Sequence, residues 1–284
     1  MEDQVLKKTG AWIEKEENIR LALLAGSRAG KKGRVDEFSD YDITLFVKDI
    51  STLLSREEEW KARFGTILVQ LNERSELGNE EYPTRLILYE DGAKIDFAIF
   101  DMEALQGIIE RSQIPGWIQA GYEIIADKDG MGKTLETLSQ NAPEKKPPTE
   151  EEYQAVINEF FWELTYIAKN LKRQELWLAK YSEWVLREET LLKMLEWYAQ
   201  SKHNWQYDTQ YRGKRIKHWL DREKYAQLEK TYSGSGTAEN WRALDALITL
   251  FEEAAREVGQ HLGYQYPEQL AGKVVKYINI PSSS

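Results

Sequence analysis

A chain of 284 residues, 42% apolar and 12% aromatic, holds material for one large or two ordinary domains. The net charge of −10 argues against a nucleic-acid backbone as the main partner; it suits small cationic molecules and equally describes a plain acidic surface. The lack of cysteine excludes disulfides and thiolate chemistry and fits a reducing cytoplasm, no apolar run nears the roughly 18 residues of a membrane span, and the opening Met-Glu-Asp-Gln has no signal-peptide pattern.

In chain order, Val5, Leu6, Thr9, Trp12 and Ile13 recur at helical spacing and predict an amphipathic helix over 3–17. The apolar run 19–25 reads as a buried strand ending at Gly26-Ser27-Arg28. A basic loop with Gly30, Lys31, Lys32, Gly33 and Arg34 follows, and those cations are either a solvated surface or within reach of a polyphosphate. Residues 41–47 read as a second strand that begins at Asp40-Tyr41-Asp42. On a strand, residues i and i+2 share a face, so Asp40 and Asp42 present two carboxylates side by side. Such a pair repels and needs a cation or a raised pKa; Mg²⁺ is suited to a few carboxylates plus substrate phosphates.

Ser51 or Ser55 is expected to cap a helix reaching Phe64, with Glu57, Glu58 and Glu59 in its first turn. Residues 66–71 read as a strand and 72–84, polar with Gly78 and Pro83, as a loop. Strands over 85–90 and 93–100 flank Asp91-Gly92, a strong hairpin signal. Within 93–100, Lys94, Asp96 and Ala98 share one face and Ile95, Phe97 and Ile99 the other; a surface-facing carboxylate on an edge strand is the default for Asp96. A helix over 102–112, a strand over 122–127 and a turn over 127–133 follow. Residues 141–149 carry three prolines and read as a linker.

The second half is helical. Thr149 and Glu152 form a capping-box pattern, and Tyr153, Val156, Ile157, Phe160, Leu164, Ile167 and Leu171 form a core stripe. Glu159, Trp162, Tyr166, Lys169 and Arg173 make a second line, either packing against another helix or facing a cleft. A long helix or broken pair is expected over 174–202, a polar-aromatic loop over 204–213, a helix over 215–231, a last helix over 238–262 and a disordered tail at 281–284. Four or five helices joined by short loops imply an antiparallel bundle. Gly213-Lys214 fails as a P-loop, because Asp208 and Arg215 stand where glycine and Ser or Thr are needed. His203, His218 and His261 are scattered, so a zinc hydrolase has no support, and no Gly-x-Ser-x-Gly elbow occurs.

Gly26-Ser27 followed by Asp40-x-Asp42 resembles the nucleotidyltransferase motif of the DNA polymerase β superfamily. The fuller strings Leu24-Ala25-Gly26-Ser27-Arg28 and Phe38-Ser39-Asp40-Tyr41-Asp42-Ile43-Thr44-Leu45-Phe46-Val47 resemble the aminoglycoside 6-adenylyltransferases (streptomycin-modifying enzymes). The family pattern has Glu where this chain has Ala25, one residue outside the core motif. The resemblance spans essentially the whole chain. It implies an α+β fold: an N-terminal polymerase-β-like nucleotidyltransferase domain over 1–143, with a mixed sheet and flanking helices, and a C-terminal α-helical bundle over 144–284 that binds substrate and closes a cleft.

The resemblance also implies a reaction, Mg²⁺-dependent transfer of AMP from ATP to an aminoglycoside hydroxyl, the 6-hydroxyl of streptomycin. Asp40, Asp42 and Asp96 are then the catalytic and metal-binding residues, with Asp96 a metal ligand, the general base, or both. Gly26, Ser27, Arg28, Lys169 and Lys214 are implied on the nucleotide. Acidic and aromatic side chains should meet the antibiotic, and Glu159, Trp162, Glu80 and Glu81 are the candidates. Three alternatives stand beside this: another acceptor (a lincosamide, a protein or a nucleotide), a non-catalytic nucleotide- or drug-binding relative, and a helical adaptor whose aspartates cap a loop. Oligomeric state is not legible.

Overall fold

The computed structural model describes residues 3–29, 35–112, 114–119, 121–140, 146–209 and 211–279. Gly30, Lys31, Lys32, Gly33 and Arg34, and linker residues 141–145, lie outside them. The chain divides into two compact units, Met1–Pro143 and Glu144–Ser284.

The first unit is built on a six-stranded mixed sheet of β1 (Ile19–Ala25), β2 (Tyr41–Val47), β3 (Ile67–Leu77), β4 (Glu80–Tyr89), β5 (Lys94–Asp101) and β6 (Glu123–Asp127). Their order is β3-β4-β5-β2-β1-β6. Among the described residues only β2 and β5 pair in parallel; the other neighbours are antiparallel. Helices α1 (Gln4–Lys15), α2 (Ile50–Leu54), α3 (Glu57–Lys61), α4 (Met102–Arg111), α5 (Gly116–Gln119) and α6 (Gly132–Gln140) complete the unit.

Strand alternation assigns the two faces. Ile43, Leu45, Ile95, Phe97 and Ile99 bury one face with Trp12 of α1 and Trp60 of α3. The two indoles stack 5.2 Å apart, and Phe97 meets Trp60 edge-on at 5.1 Å. On the other face Leu21, Leu23, Phe46 and Phe100 pack with Leu105 and Ile108 of α4. That same face continues beyond Phe46 and Ala98 to Asp42 and Asp96. The sheet therefore carries its carboxylates on a face whose other end is anchored in core.

Two expectations give way in this unit. Residues 72–84 are not a loop: β3 and β4 run through them as a long hairpin, with Leu77 opposite Glu80 across a two-residue turn. Gly78 sits there at φ +66°, the left-handed geometry a first hairpin-turn position needs. Pro83 is tolerated because β5 pairs only with residues 84–88 of β4, so no ladder donor is missing there. The single helix expected up to Phe64 is two short ones, and its cap is Asp49, whose carboxylate accepts from the Ser51 and Thr52 amides at 2.8 and 3.3 Å. The Asp91-Gly92 hairpin forms as expected, with the Tyr89 amide donating to the Ala93 carbonyl at 2.8 Å.

The second unit holds α7 (Glu150–Lys172), α8 (Leu176–Leu186), α9 (Leu192–Ser201), α10 (Ile216–Trp219), α11 (Arg222–Lys230), α12 (Thr237–Leu262) and α13 (Glu268–Ile278). The Thr149–Glu152 capping box starts α7. The predicted stripe of α7 is buried, with Phe160 stacked on Phe251 of α12 at 3.6 Å. A π-helical turn over Arg187–Leu191 joins α8 to α9. The helix expected over 215–231 is interrupted: Asp221 caps a new start at α11, accepting from the Lys224 amide at 2.9 Å. Beyond the expected last helix, α13 packs onto the core through Ala271 and Ile278. Among the described residues no helix is long and apolar enough to cross a membrane.

Candidate active site

The register of the two parallel strands builds the site. Asp42 on β2 lies opposite Asp96 on β5, and paired positions on adjacent strands point to the same face. Asp96 is therefore interior to the sheet, between β2 and β4, and not on an edge. Across β4 the same row continues to Leu86 and then Leu71 of β3. The row above it, through Ala98 and Thr84, ends at Glu73.

Gly26 stands at the end of β1, directly beside Asp42. Its φ is +67°, and a Cβ placed there would lie 1.9 Å from Asp42 Oδ2. Both the backbone conformation and the contact demand glycine. Gly26, Ser27 and Arg28 form a single 3₁₀ turn whose first residue is exposed and whose Ser27 is half-buried.

Arg28 is held tightly. Its Nε donates to the Ser39 carbonyl at 3.0 Å, its Nη1 lies 3.4 Å from Asp3 Oδ2, and its guanidinium stacks 3.9 Å from the Tyr41 ring centroid. The cation expected on phosphate is thus committed to the scaffold.

The carboxylates sit in a field that makes Asp96 hard to ionise. Burial pushes its pKa up to about 6; Lys94 opposes this, and Asp42, Asp40 and Glu73 add to it. Its Oδ1 is buried without a hydrogen-bond partner. Lys94, two residues away on β5, lies 2.7 Å from Asp40 Oδ2 and 3.9 Å from Asp96 Oδ2. The hydrogen bond to Asp40 is the main cause holding the Lys94 ammonium above its ordinary pKa.

One centre formed by Asp40, Asp42 and Asp96 was the sequence expectation. As the side chains stand, among the described residues no three carboxylates or histidines converge as a metal-holding group. Asp40 Oδ2 instead lies 2.7 Å from Lys94 Nζ. The donor chemistry still fits a hard divalent cation: the donors are all oxygens, and one of them, Asp96 Oδ1, is buried and unpaired. Asp42 and Asp96 share one face of the sheet in paired register, and Asp40 Oδ2 is engaged by Lys94.

The remaining candidates fall elsewhere. Glu80 accepts from the Tyr82 hydroxyl at 2.5 Å, and Glu81 pairs with Arg74 at 3.4 Å near the hairpin end. Both are engaged away from the carboxylates. Glu159, Trp162 and Lys169 lie on α7 of the second unit. There Trp162 is 64% exposed, meets Tyr166 edge-on at 6.1 Å, and Lys169 Nζ lies 4.3 Å from the Tyr166 ring. So exposed a stripe is not helix-packing surface. Burial, reinforced by the Glu159 charge, raises the pKa of Glu163 beside it. Lys214 is exposed on a turn where Arg212, Gly213 and Arg215 all have positive φ.

Two residues escaped the sequence reading. Lys94 was visible on the Asp96 face, yet its tie to Asp40 needs the β2–β5 register. Glu73 falls in a polar stretch whose composition predicts a loop; only the β3–β4 pairing turns it to the Asp96 face.

A glycine turn packs against one carboxylate, and a second carboxylate stands in register on the neighbouring strand of the mixed sheet, in keeping with the resemblance to nucleotidyltransferases. The model of the streptomycin adenylyltransferase family matches residues 1–280, and the chain belongs to that family. It is 29% identical over 266 residues to an aminoglycoside 6-adenylyltransferase of Bacillus subtilis (strain 168), covering 92% of this chain and 91% of the relative. Proteins of the same name from Campylobacter jejuni and Staphylococcus aureus are 27% and 28% identical, over 92% and 94% of this chain and 90% and 93% of theirs.

Proposed function

We propose that the protein transfers AMP from ATP to a hydroxyl of an aminoglycoside, the 6-hydroxyl of streptomycin, and so confers resistance. The observation that carries the reading is the Asp42–Asp96 register beside Gly26. The relatives' names supply the acceptor class.

In this reading the acceptor oxygen bonds to the α-phosphorus of ATP, the bond from that phosphorus to the bridging oxygen breaks, and pyrophosphate departs. Asp96 accepts the proton of the hydroxyl. In the ligand-free chain burial raises its pKa to about 6, so its carboxylate is a stronger base than an ordinary aspartate. The Gly26 turn brings the Ser27 amide and hydroxyl against the phosphates, because no side chain stands between backbone and ligand. Asp42 and Asp96, with Asp40 once it leaves Lys94, would hold Mg²⁺, which would supply Lewis-acid charge stabilisation for phosphoryl transfer. Lys94, freed from Asp40, offers its ammonium to phosphate oxygens.

Glu73, on the Asp96 face, takes the place of Glu80 and Glu81 as the hairpin acid that meets a cationic group of the acceptor. The exposed Leu71 beside it gives a sugar ring an apolar floor. In the second unit Glu159 and Trp162 offer charge and a stacking face, and Lys169 and Lys214 are the cations for nucleotide phosphates. The cytoplasm, where ATP is present, is the expected compartment.

The test is pyrophosphate release from ATP and Mg²⁺ across a panel of aminoglycosides, with a lincosamide, a peptide and a nucleotide as controls. Release with streptomycin alone or foremost is expected; release with none of the aminoglycosides would defeat the proposal.

A further inference from the structure

One carboxylate ties both arms of the motif to the N-terminal helix. Asp3 caps α1, accepting from the Val5 and Leu6 amides at 3.0 and 3.2 Å through Oδ1. The Tyr41 hydroxyl donates to the same group, 3.0 Å from Oδ1 and 2.9 Å from Oδ2. Arg28 Nη1 approaches Oδ2 at 3.4 Å, in a pair whose side chains are 14% and 30% exposed. Arg28 in turn stacks on Tyr41 and reaches the Ser39 carbonyl at 3.0 Å.

The three residues form a closed triangle. One corner is the last residue of the Gly26–Arg28 turn. Another is Tyr41, which stands between Asp40 and Asp42. The third lies on a different element, outside the motif. A cap alone needs only the two amide bonds at Oδ1; the pairing with Arg28 and the second contact of Tyr41 go beyond capping. Burial and the hydrogen bond to Asp3 both raise the pKa of the Tyr41 phenol, so it remains a donor.

We infer that Asp3 is a positioning residue for nucleotidyl transfer: it sets the Gly26–Ser27 turn against the Asp40–Asp42 segment before nucleotide binds. It touches no substrate and acts through Arg28 and Tyr41. The inference rests on the proposed use of the turn as the phosphate site. It also explains why Arg28 is spent on the scaffold: its charge holds the turn instead of a phosphate.

Asp3→Asn is the discriminating variant, because asparagine caps a helix as well as aspartate does while removing the charge that holds Arg28. Tyr41→Phe breaks the triangle at another corner. Each variant should lower kcat/KM for ATP about tenfold, since small misplacements of reacting groups are costly. The aminoglycoside KM should stay within about twofold, because that ligand's contacts are untouched. The double variant should be no worse than the weaker single, as expected for residues acting through one link. Hydrogen exchange should quicken at the amides of 26–29 and 39–42 and stay unchanged at 43–47 and 95–99. Wild-type kinetics in Asp3→Asn, additive losses in the double variant, or exchange that rises evenly across the sheet would each overturn the inference. If the wild-type protein transfers no AMP, the activity reading falls; the exchange pattern still decides whether Asp3 orders the turn.

Discussion

Replacing Asp96 with asparagine should stabilise the ligand-free protein and abolish its activity. In the folded chain burial lifts the Asp96 pKa from 3.8 to about 6. A raised carboxyl contributes its full stability below the unfolded value and loses it as pH climbs through the folded one. The loss therefore falls between about pH 4 and pH 7, and the gap is worth about 3 kcal/mol. The side chain is 20% exposed, and solvent screening trims the effect to about 2–3 kcal/mol. Asparagine has no proton to lose and escapes the penalty. Urea unfolding of the full-length wild type and Asp96→Asn, in chelator to keep divalent ions from binding, reads this directly. The two should match near pH 4 and separate to about 2–3 kcal/mol in favour of the variant by pH 7.5, while turnover falls at least ~10²-fold. A stability difference that is flat with pH, or a variant less stable at pH 7.5, would refute the reasoning.

Gly26→Ala should lose nearly all activity, because a Cβ would collide with Asp42 Oδ2 at 1.9 Å; the left-handed backbone alone costs about 1–2 kcal/mol, measurable as a lower melting temperature. Lys94→Ala should move the acid limb of the kcat/KM profile above pH 6, since the ammonium now lowers the Asp96 pKa; a limb that stays or falls would remove Lys94 from the site's electrostatics. Glu73→Gln should raise the aminoglycoside KM about tenfold, the loss expected for one charge-assisted contact, and leave the KM for ATP unchanged. An unchanged aminoglycoside KM would send the acceptor's cation elsewhere.

Much of the scaffold was legible because its signals are local. Leu21–Ala25 and Ile43–Val47 are apolar runs bounded by glycine and aspartate, and Asp91-Gly92 carries its turn chemistry in two residues. Thr149 and Glu152 announce a helix start for the same reason. The β3–β4 hairpin stayed hidden because Asn72, Glu73, Arg74 and Glu76 leave both strand faces polar, and Gly78 and Pro83 read as loop punctuation. Without the β3–β4 register no local signal separates Glu73 from Glu80 and Glu81. Lys94 and Asp3 needed partners 54 and 38 residues away, set by register and helix docking. No local pattern encodes either tie. The carboxylates were found from spacing, but that Asp40 turns to Lys94 is a matter of which cation lies nearest.

The central claim is that this chain joins AMP to an aminoglycoside. Incubating the purified protein with streptomycin, ATP labelled in the α-phosphate and Mg²⁺, then separating the products, tests it most directly. The account predicts label covalently attached to streptomycin through its 6-hydroxyl, one AMP per antibiotic, with an equal amount of pyrophosphate. Label remaining wholly in ATP, or passing to ADP or AMP with the antibiotic unmodified, would contradict it.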